Sequence, residues 1–182
     1  AYLETVLCYR ALDGTPISSA QVSIWDQRDV QIGGIQPLSD GTLVAWGVYF
    51  PNLGPTAVPK AFVVDPLASP GATAIPLGPT VDRVLSATSD GQLLVRDDGD
   101  APRYFRVLAR NGAVAASFPI GEDEQPVGGT VLPDGDMLAL VGRRYGNLSA
   151  IAARRFAPDA TLRWRQALAS LQDPVSLVVR GE

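Results

Sequence analysis

The sequence predicts an all-β chain: β-propeller blades of four antiparallel strands, about four of them, closed into a small ring or forming a slice of a larger propeller. Three observations carry that expectation. An Asp-Gly pair recurs between apolar runs at Asp40-Gly41, Asp90-Gly91 and Asp134-Gly135, spaced by 50 and 44 residues. A second turn signal alternates with it, at Asp13-Gly14, Pro70-Gly71, Asn111-Gly112 and Pro158-Asp159-Ala160. Helical periodicity is absent almost throughout, and 18 Gly and 15 Pro divide the 182 residues into short segments. Two hairpins per repeat make four strands, and four-stranded repeats of roughly 40–50 residues are propeller blades.

In chain order, each repeat opens on a first strand ending in Asp-Gly. That pair is expected to form a type I′ turn, which needs positive φ at both central residues. The second strand is nearly all apolar (Leu43-Val44-Ala45-Trp46, Leu93-Leu94-Val95, Met137 to Val141), the pattern of a strand covered on both faces. The third precedes the other turn: Thr5–Tyr9, Ala61–Val64, Tyr104–Leu108 and Ile151–Phe156. The fourth follows it: Ile17–Ile24, Thr73–Leu77, Ala113–Phe118 and Thr161–Leu168. There the alternation of Leu162-Arg163-Trp164-Arg165 places Leu162 and Trp164 on one side of an outer strand. Residues 165–172 read as strand and loop in preference to helix.

The whole chain, 1–182, reads as one propeller: a partial blade at 1–32, blades at 33–80, 81–125 and 126–172, and a closing or next-blade strand at 173–182. The last segment aligns with 125–134. A slice of a larger propeller exposes apolar blade faces and requires its remaining blades or another partner. The alternative pairs the C-terminal strand with the N-terminal hairpin in a small ring. Ala1 in place of Met points to a processed or partial chain.

Composition narrows the chemistry. The chain is 46% hydrophobic and 19% charged, which describes a globular domain. It has no His, which excludes imidazole triads and His-ligated zinc, and one Cys, which excludes an intrachain disulfide and a Cys zinc cluster. No apolar run reaches the ~20 residues of a membrane span. A net charge of −4 argues against a nucleic-acid partner. A single Lys against fourteen Arg suits a GC-rich, bacterial genome, and the lone Cys is compatible with an extracytoplasmic location.

Pro133-Asp134-Gly135 and the stretch Arg155 to Trp164 resemble the blades of bacterial β-propellers of the quinoprotein-like and delta-60-repeat kinds. The second stretch looks like the Asp-Ala-x-Thr-Gly-x-x-x-Trp signature, without its Gly and shorter. The resemblance implies the fold. It carries over no pyrroloquinoline quinone or calcium ligands, so no cofactor or metal is expected.

The connections after the second strands carry Trp46, Tyr49, Arg96, Asp97, Arg143, Arg144 and Tyr145. Arginine among aromatics is what binding hot spots favour, so these form the candidate partner-binding set. Asp97-Asp98-Gly99-Asp100 and Glu122-Asp123-Glu124 read as solvated charge runs, and Cys8 as core filler. No G-x-S-x-G, P-loop or G-x-G-x-x-G occurs, and no catalytic residue is expected. The leading functional expectation is a non-catalytic propeller module for protein interaction or scaffolding. The alternatives are a carbohydrate-binding propeller using Trp25, Trp46 or Trp164, and the propeller part of a larger quinoprotein-like or hydrolytic enzyme.

Overall fold

A computed structural model describes residues 6–10, 16–21, 30–50, 57–65, 72–99, 103–121, 123–145 and 148–168. The described residues form fourteen strands and no helix. A ribbon pairs β1 (Val6–Arg10) with β2 (Pro16–Gln21). Three open sheets follow, each a four-stranded antiparallel meander. The first holds β3 (Val30–Pro37), β4 (Leu43–Tyr49), β5 (Val58–Val64) and β6 (Ala72–Ala74). The second holds β7 (Val81–Ala87), β8 (Leu93–Asp97), β9 (Tyr104–Leu108) and β10 (Val114–Pro119). The third holds β11 (Glu124–Val131), β12 (Met137–Tyr145), β13 (Leu148–Phe156) and β14 (Leu162–Leu168). The turns at Asp13-Gly14 and Pro70-Gly71, Trp25, and the segment 173–182 lie outside the described residues.

The turns differ from the type I′ expectation. Asp40, Asp90 and Asp134 do not have positive φ; only the following glycine does, at 85°, 87° and 83°. In the first turn, Gly41 N–H donates to the Leu38 carbonyl (3.2 Å) and Leu38 N–H to the Thr42 carbonyl (2.9 Å). This is a three-residue loop, a type I turn closed by one left-handed residue. The same pair of bonds recurs around Gly91, Gly112, Gly135 and Ala160. The residue before the left-handed position reinforces the loop: Asp40, Asn111, Asp134 and Asp159 each accept from the backbone N–H two residues on. The aspartate is therefore selected for its acceptor, and glycine alone for its φ.

Of these five, Ala160 is the exception, with φ of 67° on a non-glycine residue. Ala160→Gly should raise stability by about 1 kcal/mol. Gly41→Ala should cost about 1–2 kcal/mol from φ alone, since nothing lies within 4 Å of the added Cβ. Gly91→Ala should cost more, because its Cβ overlaps the Arg110 side chain. Urea unfolding of the three variants measures this, and equal costs at 41 and 91 would refute it.

Two strands depart from expectation. The fourth strand of the first sheet ends at Ala74, not Leu77. Pro76 has no N–H to extend the ladder, and Ile75 N–H makes a last bond to the Ala61 carbonyl (2.8 Å). In β14 the register shifts so that Leu162 opposes Phe156 while Trp164 opposes Arg155. The extra residue puts Leu162 and Trp164 on different faces, where simple alternation would have kept them together.

The sheets pack face to face. Val44, Trp46 and Ala61 of the first sheet share a buried cluster with Val84, Leu93, Val95 and Leu108 of the second. From the second sheet's other face, Leu94, Phe105, Val107 and Phe118 join Met137, Ala139, Val141 and Phe156 of the third. The Phe118 and Phe156 rings lie 5.8 Å apart at 57°. Leu93, Leu94 and Val95 have no exposed surface, as a strand covered on both faces requires. Backbones of neighbouring sheets come together along β7, which lies against β11 on one side and β3, β4 and β5 on the other.

Candidate functional site

The meander topology puts the ends of β4, β8 and β12 at the end of the sheets opposite the five turns. Six of the seven candidates fall toward that end, within the strands themselves and not in the connections after them, while Trp46 lies at the middle of β4; their environments differ. Trp46 is 8% exposed and belongs to the cluster between the first and second sheets. It lies over Gly34 of β3, where an added Cβ would overlap the indole ring. Tyr49 is half-buried at the end of β4, with the Lys60 ammonium 5.4 Å from its ring centroid. Arg143 pairs with Asp123 at 2.6 Å. The backbones of Arg144 and Tyr145 pair with Ser149 and Leu148; their side chains lie outside the described residues.

Arg96 and Asp97 are neighbours with separate partners. The Arg96 Nε donates at 2.8 Å to both Asp82 carboxylate oxygens, and its guanidinium also pairs with that group. The bond it donates to Asp82 holds the arginine above its ordinary pKa, against the opposing effect of burial. A second contact runs from Arg96 Nη1 to the Pro126 carbonyl of the third sheet, at 3.4 Å. Asp97, 2% exposed, ion-pairs with Arg106 and accepts from the Thr80 hydroxyl (2.9 Å) and Gly99 N–H (3.1 Å).

The charge runs are thus not uniformly solvated. Asp97 is buried, as is Glu124, which pairs with Arg154 and accepts from Gly121 N–H at 2.9 Å. Asp98 and Asp123 are exposed and pair with Arg103 and Arg143. Each buried acid answers an arginine that its own third strand carries among apolar residues, since a buried charge is tolerable only when paired. That arginine was the available signal: Arg106 interrupts Tyr104-Phe105-Arg106-Val107-Leu108, and Arg154 interrupts Ile151 to Phe156. At the turn end, Asp136 is held in the same way by Arg155 (2.6 Å) and Arg163 (2.8 Å). Burial there works to raise the carboxyl pKa, but the bonds from the two guanidinium groups prevail and lower it.

This arrangement can recognise a partner by charge and hydrogen bonding. Its cations are guanidinium groups and the Lys60 ammonium beside Tyr49. Among the described residues, no group of three His, Cys, Asp or Glu side chains is placed to hold a metal ion. No helix is long and apolar enough to cross a membrane. No protein-family model matches the chain, and no curated protein matches it.

Proposed function

We propose that the chain is a non-catalytic β-propeller module for protein interaction, whose partner meets the end carrying Tyr49, Arg96, Arg143 and Arg144. The observation that supports blade-like stacking is that one packing relation repeats. Leu93 and Met137, each two residues past a turn glycine, face the preceding sheet. Val44 and Leu94, each three past, face the following one. The outward faces of the stack follow the same recipe. The first sheet turns Leu43, Ala45, Ile32 and Ile35 away from the second, and the third turns Leu138, Leu140 and Trp164 away from it. Leu43, Ala45 and Leu140 on these faces are already buried, and Ile32, Ile35 and Trp164 stay exposed, open to a further apolar surface.

The fold is tested by experimental coordinates: sheets radiating from a common axis support it, and a two-layer sandwich overturns it. The function is tested by placing a photo-crosslinking residue at Tyr49 in the native cell, with Thr73 on the outer strand as control. A discrete protein adduct is expected from position 49 alone. R143A/R144A should weaken binding of that protein at least tenfold, the loss of about 1.4 kcal/mol expected of a hot-spot pair. Unchanged binding, or adducts from both positions alike, would count against the proposal.

A further inference from the structure

Small residues on the fourth strand of the second sheet lie beside a groove. Strands β10 and β14 leave their turns in one register. Val114 and Leu162 oppose the last residue of the third strand, and Ala116 and Trp164 oppose the residue before it. Where the third sheet carries Arg163 and Trp164, the second carries Ala115 and Ala116. The small pair lies along a groove of about 640 Å³ between the second and third sheets, at the turn end. Val107, Phe118, Val131 and Leu132 supply the apolar part of a mixed lining, and its size is that of a ligand site.

Asp90 stands on the rim. Its carboxylate accepts from the Thr88 hydroxyl and from the Gln92 amide (3.0 Å), neither of them a cation. The neighbouring Arg110 gives its Nη1 to Asp40 (2.6 Å) and its Nε to the Asp90 main-chain carbonyl (3.0 Å). The guanidinium thus pairs with the Asp40 carboxylate and meets only the main chain of Asp90, and the negative charge of the Asp90 side chain borders the groove. Gln36, Ser89 and Thr130 add polar groups that suit a peptide backbone.

We infer that this groove takes an extended peptide segment of another protein, whose aliphatic or aromatic side chain enters beside Ala116 and whose adjacent Lys or Arg meets Asp90. The apolar lining supplies the anchor site, and the unneutralised carboxylate selects the neighbouring charge. The site is built from the three four-stranded sheets, so it stands whether or not the sheets close into a ring.

The probe is a display library of random seven-residue peptides selected on the immobilised full chain. The expected selection is an apolar residue adjacent to Lys or Arg. Ala116→Trp fills the groove with a side chain that the third sheet already carries at the matching position. It should weaken the selected peptides at least tenfold with an unchanged melting temperature. Asp90→Asn keeps the acceptor for Thr88 and removes the charge; it should weaken them about tenfold and flatten their salt dependence. An acidic consensus, no enrichment, or equal binding to folded Ala116→Trp overturns the inference. If Ala116→Trp does not fold, Asp90→Asn decides the matter alone: unchanged affinity and salt dependence refute it. Loss of the Tyr49 adducts without loss of peptide binding would count against the partner-binding end and leave the groove standing.

Discussion

Glu124→Ala is expected to lower the unfolding free energy by about 3–5 kcal/mol, because it leaves the Arg154 guanidinium buried without its counter-charge. The Glu124 and Arg154 side chains are 12% and 11% exposed, so water can replace little of what is lost. The change also removes the acceptor for Gly121 N–H, which organises the entry to β11. Arg165, 3.9 Å from the same carboxylate and over half exposed, can turn to solvent and contributes little to the cost. The double variant Glu124→Leu/Arg154→Met should recover most of the loss, since apolar replacement removes both desolvation penalties together. Urea unfolding of the single and double variants measures this. A single-variant cost below about 1 kcal/mol, the size of a surface pair, would show that the pair is solvated.

Phe105→Ala should cost a similar amount, about 3–5 kcal/mol, for a different reason. The ring has no exposed surface and sits with Phe118 and Phe156 in the cluster joining the second and third sheets. Its removal forfeits the transfer free energy of the ring and leaves a cavity that flanking strands on two sheets cannot both collapse to fill. The comparison is Val114→Ala on the outer strand, 54% exposed, where a change within about 0.5 kcal/mol is expected. Thermal unfolding of both separates the cases. Equal effects would mean that the two sheets do not pack through this cluster in solution.

The all-β class and the quartets of antiparallel strands were legible because the signals are local. A turn needs its glycine and its Asp or Asn acceptor within a few residues, and an apolar run of four or five is a strand covered on both sides. The kind of turn was not legible. Asp40-Gly41 suits a two-residue or a three-residue loop, and the choice depends on where the ladder resumes, at Leu38 against Thr42. In β14, likewise, one extra residue at a register shift sent Trp164 to the face opposite Leu162, and alternation counted along the sequence has no means of registering it.

The candidate site divides along the same line. That Tyr49, Arg96 and Arg143 gather at one end follows from strand order. That Trp46 is buried against Gly34 depends on which face of β4 the next sheet covers. Glu124 and Asp97 sit in runs that resemble solvated acids, and their burial is set by Arg154, thirty residues on, and Arg106, nine residues on. Among the described residues, the sequence by itself determined the all-β class, the turns at Gly41, Gly91, Gly112, Gly135 and Ala160 and the grouping in fours, because short-range steric and hydrogen-bonding preferences suffice for these. Only the tertiary structure decided which charges are buried, which aromatic residues pack, and where a groove opens beside Ala116, because each depends on the side chains that a neighbouring sheet brings against them.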